Sequence, residues 1–319
     1  MIENVAVSII CNVYNQEAYV RSALEGFVMQ QTDFVFEVLV HDDASTDHTA
    51  EIIKEYEQKY PELIKPIYQT ENQYSKRDGT IKRLQSERAK GKYVALCEGD
   101  DYWTDPLKLQ KQYDFMEKNP DYTMCGCGTK WLNMLSGKIE KQNMEKEDRD
   151  FSLEELLIPK NGRAFTTVSF FLKTNVWKTV PRWGFPVGDL PMTYYAAMQG
   201  KVHMLAEDMC VYRWHAAGSW TEKNDDDSIR ANTCEKMIAG YENMNRDTKY
   251  KYDALLKKRI TQRKYTLALM RHDFQAIQSE ELVEIYRSRD FVHRLSDRIH
   301  CKHPKLYRKL QNVLGRAEN

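Results

Sequence analysis

The chain has no run of about 20 apolar residues, the length a membrane-spanning helix needs. Its 42% hydrophobic content is that of an ordinary globular protein. It has no net charge, with 47 Lys and Arg against 47 Asp and Glu, so bulk electrostatics gives no reason to expect nucleic-acid binding. Its seven cysteines, Cys11, Cys97, Cys125, Cys127, Cys210, Cys234 and Cys301, are odd in number and form no CxxC. Neither a zinc site nor a disulfide framework is expected. Reduced cysteines in apolar runs are small core residues and fit a cytosolic protein. Met1-Ile2-Glu3-Asn4 lacks the basic start of a secretory leader, so none is expected. Gly126-Cys127-Gly128 lacks the third glycine of a dinucleotide fingerprint. Gly91-Lys92 is followed by Tyr93 and so is no phosphate loop. HExxH and GxSxG are absent, and there is no internal repeat.

What is present is a pattern that occurs twice. The run Tyr93-Val94-Ala95-Leu96-Cys97 leads directly into Glu98-Gly99-Asp100-Asp101-Tyr102-Trp103. Upstream, Phe36-Glu37-Val38-Leu39-Val40-His41 leads into Asp42-Asp43-Ala44-Ser45-Thr46-Asp47. Each reads as a buried strand that opens into carboxylates. Two such strands suggest one crevice at the C-terminal edge of a mostly parallel sheet, where α/β folds bind ligands.

The first 130 residues alternate strand and helix patterns, as βαβ units do. Strands are expected at Val5–Cys11, up to Asp42, at Ile64–Tyr68 and at 93–97. Helices are expected at Glu17–Gln30, after Asp47 up to Pro61, at Thr80–Lys90 and from Pro106 to Asn119. Beyond residue 120 the pattern is mixed. Tyr122–Cys127, Thr166–Leu172, Val202–Leu205 and Met209–Trp214 read as strands, and Asp189–Met198 as a helix. Ser152-Leu153-Glu154-Glu155 reads as a capping box, and 134–150 as a polar loop. Past Asp225 the chain is helix-forming and charged. Residues 249–319 hold 17 Lys and Arg against 8 Asp and Glu, which suits a solvated face, a partner surface or anionic lipid. The expected division is 1–225, with a nucleotide half 1–105 and an acceptor half 106–225, followed by a helical extension 226–319.

Several residues are candidates for chemistry. Asp42 and Asp43 suit hydrogen bonds to a base or ribose, and equally suit a turn after a strand. Glu98, Asp100 and Asp101 place three carboxylates in four residues, which repel one another unless a cation compensates. That favours Mg²⁺ or Mn²⁺, which in turn binds a diphosphate. Asp189 in Gly188-Asp189-Leu190-Pro191 fits a general base or a helix N-cap. Arg213 and His215 fit charge-assisted donors to a diphosphate. The aromatics at 165–220 fit an acceptor platform or core.

These segments together resemble the family 2 inverting glycosyltransferases of the GT-A fold, of the non-processive bacterial type. The resemblance rests on Val7–Glu17, Gln30-Gln31-Thr32, Glu37–Asp47, Gly91-Lys92-Tyr93 and Glu98–Pro106. It covers the first 120 residues well and extends more weakly to 220. It implies a Rossmann-like, mostly parallel central sheet flanked by helices, with the C-terminal helices as an extension. It implies that Val13 and Asn15 lie beside the nucleotide and that Asp42 and Asp43 bind uracil or ribose. Asp100 ends the Asp-x-Asp metal motif, with Glu98 in place of its first Asp and Asp101 as an extra carboxylate. Asp189 falls at the catalytic base, after Gly188 where relatives carry Glu. Arg213 and His215 match the late Arg-x-His segment near the diphosphate. Processive relatives carry Gln-x-x-Arg-Trp and membrane helices, whereas this chain has Cys210 ahead of Arg213-Trp214.

The expected activity is therefore metal-dependent transfer of a single sugar, from a nucleotide-diphospho sugar such as a UDP-sugar to a glycan or lipid-linked acceptor in surface polysaccharide assembly. Mn²⁺ or Mg²⁺ is the expected cofactor. The expected place is the cytoplasm, with peripheral contact to the inner face of the membrane through the basic tail. The competing readings are a nucleotidyltransferase, which would release pyrophosphate, and a non-catalytic nucleotide-binding relative. The first loop, at 11–17, lacks the Gly-rich basic character the nucleotidyltransferase would need.

Overall fold

A computed structural model describes residues 4–141, 145–160, 162, 164–219 and 227–314. The chain divides into two compact units: Met1–Val180 with Met192–Glu222, and Pro181–Pro191 with Lys223–Asn319. The segment Pro181–Pro191, placed by sequence in the acceptor half, groups with the helical unit.

In the first unit the elements up to residue 118 are β1 Val7–Val13, α1 Val20–Val28, β2 Phe36–Asp42, α2 Thr49–Lys59, β3 Ile64–Tyr68, α3 Thr80–Arg88, β4 Tyr93–Leu96, β5 Tyr102–Trp103 and α4 Lys108–Lys118. There follow β6 Tyr122–Asn133, β7 Lys138–Lys141, β8 Arg149–Phe151, α5 Leu153–Leu157, β9 Phe171–Lys173, α6 Thr174–Lys178, α7 Asp189–Gln199, whose first three residues group with the second unit, and β10 Lys201–Trp214. The sheet order is β3-β2-β1-β4-β9-β6-β10-β5, with β7 on β6 and β8 on β10. β3, β2, β1 and β4 pair in parallel. The short strands β9, β5, β7 and β8 enter antiparallel.

β1 sits between β2 and β4 and is buried at six of its seven residues. It therefore reads as a nearly unbroken apolar run, as a strand covered on both faces does. α1 lays Ala23, Leu24 and Phe27 on this core, and Phe27 meets the edge of Trp103 at 5.0 Å. Glu37 in β2 is buried, so its charge needs partners. It has them in Ser8 Oγ at 2.8 Å, the Lys90 N–H at 3.1 Å and Lys65 Nζ at 3.2 Å. Gly91 brings the chain into β4, where an added Cβ would lie 2.6 Å from the Ser8 nitrogen. Only glycine permits that approach.

On α3, Lys82 donates to the Trp177 carbonyl at 2.8 Å, and its Nζ lies 3.2 Å from the centre of the Trp177 ring. Burial pushes its pKa down to about 6, with Lys178 adding to the shift. The ring face works the other way, favouring the charged form.

Three sequence expectations change. Residues 202–214 form one strand instead of two, because β10 runs through its polar middle with register shifts around Leu205, Asp208 and Cys210. The run 166–172 is a 3-10 turn at Thr167–Ser169 followed by β9. Tertiary partners fix that turn: the Val168 carbonyl accepts the Trp103 indole N–H at 3.0 Å, and the Ser169 carbonyl accepts Gln112 Nε2 at 2.9 Å. The expected loop 134–150 contributes β7, which pairs with β6, and the start of β8; residues 142–144 lie outside the described residues. The capping box forms as read, with Ser152 and Glu155 bonded reciprocally.

The second unit is helical. Helices Asp227–Asp247 and Asp253–Met270 pack together. Trp183 donates its indole N–H to Asp247 Oδ2 at 2.9 Å, and Phe185 meets Tyr241 edge-on at 4.9 Å. A smaller core gathers Tyr265, Ala268, Ile277, Leu282 and Cys301. Among the described residues, no helix is long and apolar enough to cross a membrane.

Candidate active site

The C-terminal ends of β1, β2 and β4 lie side by side, so the loops after Val13, Asp42 and Leu96 share one sheet edge. The Gly99 N–H donates to the Asn12 carbonyl at 3.2 Å, which holds the acidic loop against the end of β1. A Cβ on residue 99 would meet Val13 Cγ1 at 2.2 Å and Gln16 Oε1 at 2.4 Å. Glycine is what lets the loop pass so close.

Glu98, Asp100 and Asp101 converge there, each offering an oxygen within 4.8 Å of the others. Glu98 is exposed, Asp100 half-buried and Asp101 fully buried. Burial pushes the Asp101 carboxyl well above the usual range, and the neighbouring Asp100 charge adds to it. Burial also raises Asp100, against the pull of Arg213 and Gln16. Asp101 Oδ1 accepts the Arg213 N–H at 2.8 Å, while its buried Oδ2 has no hydrogen-bond partner. Buried polar atoms are rarely left so. Three converging carboxylates with one unused buried oxygen fit a hard divalent cation.

Arg213 packs against the acidic loop. It is 8% exposed. Its Nη1 donates to the Asp100 carbonyl at 2.6 Å and its Nη2 to Ser22 Oγ at 3.1 Å. Its guanidinium lies 4.4 Å from the Tyr102 ring centre and 5.2 Å from that of Tyr19. The two-residue β5 pairs antiparallel with Cys210 and Val211, and continuing that register sets Arg213 opposite Asp100. His215 follows in a left-handed turn (φ 59°), half-buried beside Trp214.

On the other flank, Asp42 and Asp43 are each 2% exposed. Asp42 Oδ1 accepts Ser45 Oγ at 2.5 Å, and burial raises its pKa. The Asp43 carboxylate accepts the N–H groups of Gln73 at 2.7 Å and Tyr74 at 2.9 Å, so it anchors the 72–76 loop. Val13 is core-buried, and its carbonyl accepts the Asp43 N–H at 2.9 Å. Asn15 is exposed in a left-handed conformation (φ 51°), and its Oδ1 accepts the Thr46 N–H at 2.8 Å. The structure thus brings Val13, Asn15, Asp42, Asp43, Glu98, Asp100, Asp101, Arg213 and His215 into the first unit. Asp189 opens α7 within the segment that groups with the second unit, and its Oδ1 accepts the Leu190 N–H at 2.9 Å.

Sequence reasoning missed Gln16, Tyr19, Ser22 and Tyr102 as supports of the acidic loop. Their sequence spacing gives no sign of this. The closest clue was Gly99, a residue without a side chain between acids.

A parallel βαβ half with clustered carboxylates at its C-terminal edge, joined to a mixed half, is the GT-A arrangement. The sequence profile described as Glycosyl transferase family 2 matches residues 8–177, more than half of the chain. The chain belongs to glycosyl transferase family 2. It is 39% identical over 221 residues to an uncharacterised protein, Rv1520, of Mycobacterium tuberculosis, covering 67% of this chain and 60% of that one. The chain thus spans less than two thirds of the length of that relative. In structure it is similar to S. aureus TarS 1-349 in complex with UDP-GlcNAc, with a TM-score of 0.60, 18% identity and coverage of 93% of this chain and 79% of that one. It is also similar to the mannosyltransferase PcManGT of Pyrobaculum calidifontis in complex with GDP-Man and Mn²⁺, with a TM-score of 0.56, 16% identity and coverage of 99% and 91%. At these identities the likeness shows the fold.

Proposed function

We propose that this chain is a metal-dependent inverting glycosyltransferase. It moves one sugar from a nucleotide-diphospho sugar, of the UDP class, to a hydroxyl of a glycan or lipid-linked acceptor in surface polysaccharide assembly. The observation that carries this reading is the triad Glu98, Asp100 and Asp101, with its unpartnered buried Asp101 oxygen at the strand edge. The UDP-GlcNAc of TarS and the GDP-Man and Mn²⁺ of PcManGT support the donor class.

The residues divide the work. Glu98, Asp100 and Asp101 would hold Mn²⁺ or Mg²⁺, a charge that offsets the one growing on the diphosphate leaving group. Asp43 and Asp42 shape the nucleoside edge through the 72–76 loop and Ser45. Asn15 borders the same edge. Arg213 fixes the acidic loop from behind, which leaves His215 as the basic side chain for the diphosphate. Asp189 removes the proton from the acceptor hydroxyl as it attacks the anomeric carbon. Attack opposite the leaving group inverts that carbon. The chain works at the cytoplasmic face of a membrane, where a lipid-linked acceptor is presented.

The test is thermal melting with UDP, GDP, CDP and TDP, each with Mn²⁺ or with EDTA. A ligand bound only by the folded state raises the melting temperature. UDP with Mn²⁺ is expected to raise it, and EDTA or Asp100→Asn to abolish the rise. No response to any nucleotide would overturn the donor reading, and unchanged turnover in Asp189→Asn would remove Asp189 as the base.

A further inference from the structure

The last two described helices, Phe291–Lys302 and Pro304–Leu314, present apolar side chains to solvent. Phe291 is 71% exposed, Val292 65% and Leu295 46% on the first helix, and Leu306 is 48% and Leu310 40% exposed on the second. Phe291 and Leu295 are one turn apart, as are Leu306 and Leu310, so each helix carries a row instead of scattered residues. Exposed apolar rows of this kind mark an interaction surface.

The charge around these rows is one-sided. Between residues 291 and 310 the chain carries Arg294, Arg298, Lys302, Lys305, Arg308 and Lys309 against a single carboxylate, Asp297. Asp297 is buried and committed inward, accepting Tyr265 Oη at 2.5 Å and pairing with Arg289 at 2.9 Å. It does not offset the surface. Lys302, Lys305 and Lys309 are exposed, and Lys305 and Lys309 adjoin Leu306 and Leu310 in sequence.

From this combination we infer that the face is a docking surface for an anionic lipid bilayer. Apolar rows enter the boundary between headgroups and acyl chains, while flanking lysines and arginines meet the negative headgroups. A second copy of the chain fits poorly, because a face-to-face dimer would oppose two surfaces of the same positive sign. A nucleic acid would use the charge and leave Phe291, Val292 and Leu295 in water. The inference deepens the membrane part of the proposed function and rests on it only for its purpose. Binding to vesicles is read without any sugar transfer, so either can fail alone.

The experiment is co-sedimentation of the whole chain with vesicles of phosphatidylcholine alone, or with about one third phosphatidylglycerol. Binding is expected to the anionic vesicles only and to weaken as salt rises. Each basic residue near the surface contributes about fivefold to partitioning. The triple variant Lys302→Glu, Lys305→Glu, Lys309→Glu should therefore lose more than about a hundredfold. Phe291→Ser should lose about tenfold while leaving the melting temperature unchanged. No binding at low salt would overturn the inference. So would binding that both variants retain, or a dimer in solution that Phe291→Ser separates.

Discussion

On the β2 side of Gly99 the site is held by many small polar contacts, and on the β10 side by one arginine. Asn15 N–H donates to Ser45 Oγ at 2.9 Å, Gln16 N–H to Thr49 Oγ1 at 2.7 Å, and Glu17 N–H to Asp47 Oδ2 at 3.1 Å. In return Glu17 Oε2 accepts the His48 N–H at 2.9 Å. Each such bond contributes about 1 kcal/mol, and its neighbours remain if it is lost. Across the loop, the Arg213 backbone N–H bonds Asp101, while its guanidinium bonds the Asp100 carbonyl and Ser22 and lies against the Tyr102 ring. One flank spreads its contacts over several residues and the other gathers them on one, Arg213.

The sharpest way to break this comparison is Arg213→Met. It keeps the backbone N–H bond to Asp101 but removes both guanidinium bonds, to the Asp100 carbonyl and Ser22 Oγ, at a cost of about 3 kcal/mol for two charge-assisted bonds. Chemical denaturation should show that loss, and turnover should fall about a hundredfold because the acidic loop shifts. Arg213→Lys should not restore activity, since an ammonium cannot reach the same partners as a planar fork. Gly99→Ala comes next. Its methyl group must displace Val13 or Gln16, an overpacking of about 2 kcal/mol, and titration with Mn²⁺ should show weakened binding. Thr49→Ala, which removes the hydroxyl that accepts the Gln16 N–H, is expected to cost only about 1 kcal/mol, with turnover near that of the parent. If it costs as much as Arg213→Met, the two flanks do not differ in this way.

A pH-dependent effect lies away from both flanks, at Lys82. Its folded pKa of about 6 is below its ordinary value of 10.5. The unfolded chain therefore holds the proton more tightly. Stability should rise with pH from about 6 toward 10.5, and the full penalty is present below that window. Lys82→Met should flatten this slope, as read from melting across the pH range.

The parallel half was the more legible in the sequence. The end of β2 at Asp42 falls where the apolar pattern puts it, because a strand buried on both faces is mostly apolar; the edge strand Ile64–Tyr68, buried only at Ile64, also lies where it was read. The mixed half was read less well. β10 contains Glu207 and Asp208, and this polar interruption looks like a break when only its register on β6 keeps it whole. The acidic cluster was visible because its charges are adjacent in sequence. The bracket role of Arg213 was not, since it depends on a strand of two residues, β5, choosing its partner 107 positions away.

That pairing gives the molecule a timetable. β1 is made first but must wait for β4 before both its edges are paired, and the acidic loop is then still unbraced. The brace arrives with residue 213, after some two thirds of the 319 residues have been made. Contacts so distant in sequence close late. On the ribosome, a nascent chain cut short before β10 would fold its nucleotide edge yet carry a loose acidic loop, so the site is finished only once the chain is committed to its full first unit.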